Sequence, residues 1–148
     1  MLRLYDVLER VTECCPDVLI EGCSGSGGRF DAGRLYYTPQ IWGSDNTDAV
    51  DRIRIQYGTS FGYPISAVGS HVSAVPNHQT GRITPMKTRG VVAMAGSFGY
   101  ELNLSAISDE DKNCVREQIE AYHKYWHLIH DGANYRLPSP LEARDTAA

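Results

Sequence analysis

A chain of 148 residues is long enough to bury a core of its own, so neither disulfides nor a metal is needed to explain folding. Its 14 Lys and Arg against 18 Asp and Glu leave a formal charge of -4 with no long single-sign run, which excludes a basic surface for phosphate backbones and with it nucleic acid as a partner. A hydrophobic fraction of 42% and a charged fraction of 22% are those of a folded domain rather than a disordered one. The cysteines Cys14, Cys15, Cys23 and Cys114 include an adjacent pair but no CxxC spacing, so they make neither a zinc-knot pattern nor a disulfide framework and suit a reducing compartment. No basic stretch followed by an apolar run opens the chain, and nowhere do about 18 apolar residues follow one another, so a cytoplasmic protein without a membrane span is expected. The nine tyrosines suit a sugar site through their combined apolar face and hydroxyl, but they suit ordinary half-buried positions equally.

Leu4, Val7, Leu8 and Val11 recur at helical spacing, and Pro16-Asp17 closes that segment before the short apolar run Val18-Leu19-Ile20, read as a buried strand. The loop from Gly22 to Arg29 follows, with glycines that let backbone approach a ligand. Gln40-Ile41-Trp42 is a second short strand, and the polar turn Ser44-Asp45-Asn46-Thr47 caps a helix predicted to turn Ala49, Val50, Ile53 and Tyr57 to one side. Ile65 to Val68 reads as a third strand, followed by a loop from Gly69 through His71, Pro76, Asn77 and His78. Thr84-Pro85 reads as an N-cap with proline at the first helical position. The last strand is placed within Phe98 to Leu104. Ser108 and Asp111 then make a capping-box-like start for a helix with the stripe Val115, Ile119, Tyr122 and Trp126, ending at Gly132.

Short apolar strands alternating with amphipathic helices imply an α/β fold of parallel βα units. A TIM barrel needs eight strands and roughly 250 residues, about twice what these units supply. An open doubly wound sheet removes that difficulty, so local patterning leaves the architecture undecided. No internal repeat or low-complexity tract occurs. Residues 1–140 are expected to form one unit, with 141–148 a flexible tail or the start of a linker.

One set of motifs is more specific. Glu21-Gly22-Cys23-Ser24-Gly25-Ser26-Gly27-Gly28-Arg29-Phe30-Asp31 precedes Gln40-Ile41-Trp42-Gly43-Ser44-Asp45-Asn46-Thr47-Asp48-Ala49. Ile55-Gln56-Tyr57-Gly58-Thr59-Ser60, Tyr63-Pro64-Ile65-Ser66-Ala67 and His71-Val72-Ser73-Ala74-Val75-Pro76-Asn77 follow in order. Thr88-Arg89-Gly90, Phe98-Gly99-Tyr100-Glu101-Leu102 and Tyr135-Arg136-Leu137-Pro138-Ser139-Pro140 complete the series. Together these segments resemble the C-terminal half of the catalytic barrel in the microbial-type retaining α-galactosidases, which include the melibiose- and raffinose-cleaving enzymes. Gly43 stands where that family often has Thr, and Ser26 where it usually has Gly.

The resemblance implies that the parallel units are strands five to eight of a TIM barrel, with Asp45 after the sixth as the acid/base carboxylate. It implies substrate contacts from Cys23, Gly25, Trp42 and Asp48. It also implies that the nucleophilic Asp, in a Lys-Trp-Asp context absent from this chain, is supplied by the missing N-terminal half of the barrel. The expected reaction is hydrolysis of terminal α-linked galactose from galactosides such as melibiose and raffinose, with no cofactor and no metal. Related readings are an α-N-acetylgalactosaminidase, a galactosyl-transferring enzyme, or a non-catalytic sugar-binding or structural fragment. Such a fragment, alone, is expected to be inactive and to self-associate.

Other constellations carry less. Gly25-Ser26-Gly27 has Phe30 where a dinucleotide loop needs its last glycine, and no lysine follows to make a P-loop. A Cys23 nucleophile lacks an orienting base. His123, His127 and His130 share one side of a helix and offer adventitious zinc or nickel ligands, but an exposed flank is the preferred reading. Local pattern also allows Asp45, Asn46 and Asp48 simply to cap a turn; His71 and His78, with Asn77, invite a metal or catalytic reading, but ordinary loop histidines are the preferred one.

Overall fold

The computed structural model describes residues 2–23 and 31–137. In chain order the elements are α1 (Leu2–Cys14), β1 (Glu21–Gly22), α2 (Ala32–Leu35), β2 (Gln40–Trp42), α3 (Ala49–Thr59), a 3-10 turn (Ile65–Ala67), β3 (Val68–Ser73), α4 (Met86–Ala93), β4 (Ser97–Glu101) and α5 (Asp109–Asp131). The four strands form one parallel sheet in the order β1-β2-β3-β4.

That order bears on what patterning leaves undecided. A doubly wound sheet reverses its strand order at a switch point, whereas consecutive right-handed crossovers in unbroken order stack every helix on one face. The contacts follow the second rule. Val72 on β3 packs with Met86 and Ala93 of α4 and Val115 of α5, and Phe98 and Tyr100 of β4 join them. The fold is α/β with four parallel strands alternating with helices, consistent with part of a TIM barrel.

Alternation along β3 divides the sheet into unlike faces. Val72 faces the helices, and Ser70 does too, donating to Gln56 Oε1 on α3 at 3.1 Å. His71 points the other way, against Trp42. Polar side chains tie the helices to the outer face. Gln56 Nε2 donates to the carbonyls of Val92 at 3.0 Å and Ala95 at 3.3 Å, and Gln118 Nε2 donates to that of Met86 at 3.0 Å. The Tyr100 hydroxyl donates to Gln118 Oε1 at 2.7 Å. Burial pushes the Tyr100 phenol up to about 12, with the neighbouring Cys114 adding to the shift.

Several element boundaries differ from the sequence reading. Val18 and Leu19 lie outside the sheet and exposed, because β2 is short and offers only Gln40 and Ile41 as partners for Glu21 and Gly22. Ile65 to Ala67 form the 3-10 turn rather than a strand, and β3 runs through Ser73, so His71 belongs to the sheet and not to a loop. Pro85 is the N-cap residue of α4, while Thr84 serves as a carbonyl acceptor for Arg89 Nε at 2.9 Å. Asp31 caps the unpredicted α2, its carboxylate accepting from Arg34 N.

On α3 the buried side is Ala49, Arg52 and Gln56, and Val50 is exposed, since the layer beneath offers carbonyls rather than apolar side chains. On α5 the Ser108 cap forms as expected, donation coming from Asp111 N at 3.1 Å. Val115 and Gln118 are its buried residues, with Ile119 and Trp126 exposed. The apolar stripe of α1, Leu4, Val7 and Val11, is likewise exposed. Among the described residues no helix is long and apolar enough to cross a membrane.

Two glycines give opposite expectations. A Cβ at Gly96 would stand 2.6 Å from the Val68 carbonyl oxygen and 3.0 Å from Ser70 Cβ, whereas one at Gly58 in α3 would meet nothing within 4 Å. Gly96→Ala is expected to lower stability by about 1–3 kcal/mol through overpacking against backbone. Gly58→Ala is expected to raise it by roughly 0.5–1 kcal/mol through helix propensity. Urea unfolding followed by circular dichroism measures both.

Candidate active site

The carboxyl-terminal ends of parallel strands are where loops can gather functional groups without disturbing the sheet. Here they border a cleft of about 490 Å³. Glu21 and Cys23 come from β1 and the residue following it, Trp42 and Asp45 from β2 and its loop. His71 and Ser73 come from β3, and Glu101 is the last residue of β4.

Trp42 forms the most rigid wall. It is 8% exposed, its ring lies 4.7 Å from the His71 ring, and the Arg52 guanidinium carbon stands 4.4 Å from its centroid. Gly69 makes room for it, since a Cβ there would approach Trp42 Cε3 to 3.0 Å. His71 Nδ1 in turn lies 3.8 Å from Glu101 Oε2. Glu21 accepts from Gln40 Nε2 at 2.8 Å.

The loop carrying Asp45 is held from below and from the side. Arg52, only 4% exposed, donates from Nη2 to the Ser44 carbonyl and from Nε to the Asn46 carbonyl, each at 2.7 Å, and from Nη1 to that of Gly69 at 3.3 Å. Burial lowers the guanidinium's pKa from the usual arginine value, and the carboxylates of Glu101 and Asp45 draw it back up. Within the loop, Asn46 N donates to Ser44 Oγ at 3.1 Å and Asp48 N to Asn46 Oδ1 at 3.0 Å.

The loop after β3 locks against the same turn. Asn77 Nδ2 donates to Thr47 Oγ1 at 3.0 Å, and Thr47 N donates to Gln79 Oε1 at 3.3 Å.

Of the residues expected from sequence, the cleft brings together Asp45, Trp42 and Cys23. Cys23 is exposed with a free thiol, and Gly25 lies outside the described residues. Asp48, expected as a substrate contact, is instead 2% exposed and turned into the helix N-terminus. Its Oδ1 accepts from Val50 N and Asp51 N at 3.0 and 3.1 Å and pairs with Arg82, while Oδ2 accepts from Thr80 Oγ1 at 2.9 Å. Both oxygens are therefore occupied by the protein itself.

Of the cleft residues Glu21, His71, Ser73 and Glu101, the sequence singles out only His71, and places it in a loop. The alternation of β3 and β4 is the signal that finds three of them, because His71, Ser73 and Glu101 all fall on the face opposite Val72 and Tyr100. Arg52 gave no signal, since a lone arginine on an amphipathic helix reads as solvated. On α5, His123 and His127 are exposed, while His130 stacks on Trp126 at 4.4 Å. Among the described residues no group of three or more His, Cys, Asp and Glu is placed to hold a metal ion.

Asp48 carries a pH signature. Burial raises its carboxyl pKa, but the Asp51 amide, the Thr80 hydroxyl, Arg82 and the Val50 amide outweigh that and leave it below the ordinary value. A carboxyl depressed in the folded state stabilises the protein above its unfolded pKa, and that contribution is lost as pH falls through the folded value. Asp48→Asn is therefore expected to cost about 1–2 kcal/mol at neutral pH and to flatten the loss of stability below about pH 4. Urea midpoints at pH 7 and pH 3 for both proteins check this.

Comparison with known proteins places this cleft in a family. The bifunctional α-galactosidase/sucrose kinase AgaSK of Mediterraneibacter gnavus is 65% identical over 141 residues, covering 95% of this chain and 15% of that protein. α-Galactosidase 1 of Pediococcus pentosaceus is 55% identical over 147 residues, covering 99% of this chain and 20% of that protein. Among solved structures, a variant of the GH36 α-galactosidase AgaA from Geobacillus stearothermophilus in complex with raffinose superposes with a TM-score of 0.94 at 55% identity, over 97% of this chain and 20% of that one. The chain thus spans a fifth or less of the length of these relatives. The melibiase family model matches residues 1–132, and the chain belongs to that family.

Proposed function

We propose that this chain is the acid/base-bearing part of the catalytic barrel of a retaining α-galactosidase, with β1 to β4 as the fifth to eighth strands of that barrel. The observation that carries the reading is the position of Asp45, on a braced loop beyond β2, lining one cleft with Trp42 and Cys23 at the carboxyl ends of parallel strands. The substrate class is a terminal α-linked galactoside such as melibiose or raffinose, the latter being the sugar held by the AgaA relative.

In this reading Asp45 protonates the departing glycosidic oxygen while a carboxylate about 5–5.5 Å away attacks the anomeric carbon. Asp45, now ionised, then takes a proton from the water that releases the sugar. The nucleophile comes from the part of the barrel that lies outside this chain. Trp42, immobilised between Arg52 and His71, offers a flat apolar wall to a sugar face. Cys23 and Gly25 would contact the sugar hydroxyls. Asp48 contributes indirectly, by capping α3 and anchoring the turn on which Asp45 stands.

In the full-length enzyme, Asp45→Asn is expected to lower kcat/KM on raffinose by about 10²–10⁴-fold while sparing an activated aryl α-galactoside far more, because a good leaving group needs little proton donation. Equal losses on both substrates would remove Asp45 from the acid/base role.

The isolated chain is expected to show no turnover of 4-nitrophenyl α-galactoside and to self-associate. One side each of β1 and β4 faces no other strand among the described residues, and unpaired edges recruit strands. The exposed Leu4, Val7 and Val11 of α1 and the exposed Val18 and Leu19 add apolar surface at the β1 end. Light scattering coupled to size exclusion over a concentration series measures the association; a monomer at all concentrations would count against the open-edge account.

A further inference from the structure

We infer that Arg52 is the positioning residue for Asp45, holding the acid/base loop at the height and angle from which its carboxyl meets the glycosidic oxygen. The inference rests on the galactosidase reading of Asp45 and assigns the geometry of that residue to a side chain on the following helix.

Three observations converge on Arg52. Its guanidinium is buried, and it donates to three main-chain carbonyls. Two of its three acceptors, the carbonyls of Ser44 and Asn46 at 2.7 Å each, bracket Asp45, and the third, that of Gly69 at 3.3 Å, belongs to β3. The guanidinium plane also lies under the Trp42 ring at 4.4 Å, so the wall and the acid loop share one support. A rigid planar fork can fix several carbonyls at once, whereas an ammonium on a flexible stem is a point charge that fixes none of them in orientation. A displacement of about 1 Å in a proton donor is enough to cost about 10²-fold in rate.

The next helix supplies a control. Arg89 on α4 is also buried, but it donates to the carbonyls of Thr84 at 2.9 Å and Ser73 at 2.5 Å, away from the Ser44–Asn46 turn. It performs the same structural task one strand further on without supporting the acid.

The test compares Arg52→Lys, Arg52→Met and Arg89→Lys in the full-length enzyme, reading kcat/KM on raffinose and on 4-nitrophenyl α-galactoside. The ratio of the two is independent of the fraction of enzyme that folds, so partial misfolding of a variant leaves the readout intact. Both Arg52 variants are expected to lose about 10²-fold on raffinose and less than tenfold on the aryl substrate. Combined with Asp45→Asn they are expected to change the ratio no further. Arg89→Lys is expected to lower both substrates alike.

Equal losses on the two substrates in the Arg52 variants, complete loss of aryl turnover in both, or full recovery of the ratio by lysine would each overturn the inference. Lysine recovery would mean that charge near Asp45 is what matters and not the fork. If the unmodified full-length enzyme cleaves neither galactoside, the galactosidase reading itself fails, and the assignment of Arg52 falls with it.

Discussion

A buried guanidinium must find acceptors or forfeit several kcal/mol of hydration, and in this fold Arg52 finds them in the backbone. Placed on the inward side of α3, it reaches the carbonyls of Ser44, Asn46 and Gly69 beneath the strand ends. Those three carbonyls belong to the loop after β2 and to β3, so one side chain specifies the spacing between two neighbouring strands and the shape of the turn above them. Trp42 closes the top of the same charge. Substituting an apolar residue there would leave three carbonyls to be satisfied some other way, which is why α3 buries a polar side rather than the apolar one its sequence suggests.

The arrangement recurs along the sheet. Gln56 ties β3 to the end of α4, Arg89 ties the end of β3 to the start of α4, and Gln118 ties α5 to α4. Each is a long polar side chain reaching from a helix to main-chain carbonyls. The apolar core around Val72 supplies the burial energy, and these polar ties select which of the ways of stacking helices on a sheet is adopted. The opposite face has a different character. Glu21, Gln40, His71, Ser73 and Glu101 line that side, a polar surface around Trp42 suited to water or a sugar rather than to a packed core.

Much of the chain was readable before any coordinates. The strand at Gln40–Trp42, the cap at Ser108 and the helix that follows it emerged from local pattern because their signals are local: a strand bounded by turn residues, a hydroxyl placed to accept a nearby amide. Asp45 came from the motif around it. Boundaries that depend on a neighbour were less legible. Val18-Leu19 is as apolar as any strand, yet it stands outside the sheet because the partner strand is too short to pair with it. Ser70 and His71 look like loop residues, yet they sit within β3 because Gln56 and Trp42 receive them from either side. Asp48 looked like a site residue because it sits in the same motif as Asp45, and only its surroundings reveal that Val50, Asp51, Thr80 and Arg82 use both of its oxygens.

The residues alone, then, determined the alternation of strand and helix, the family, and the motif in which Asp45 lies. Periodicity and motif order are properties of neighbours along the chain, and one dimension suffices to read them. The tertiary structure decided the unbroken strand order, which is consistent with part of a barrel, and the division of the sheet into a packed face and a polar one. It also set Asp45 on the cleft, buried Asp48 at the N-terminus of α3 and gave Arg52 its place under the loop. Hydrogen-bond partners that lie many residues apart in sequence are set by which backbone groups the packed elements leave unsatisfied, and that is known only once the elements have packed.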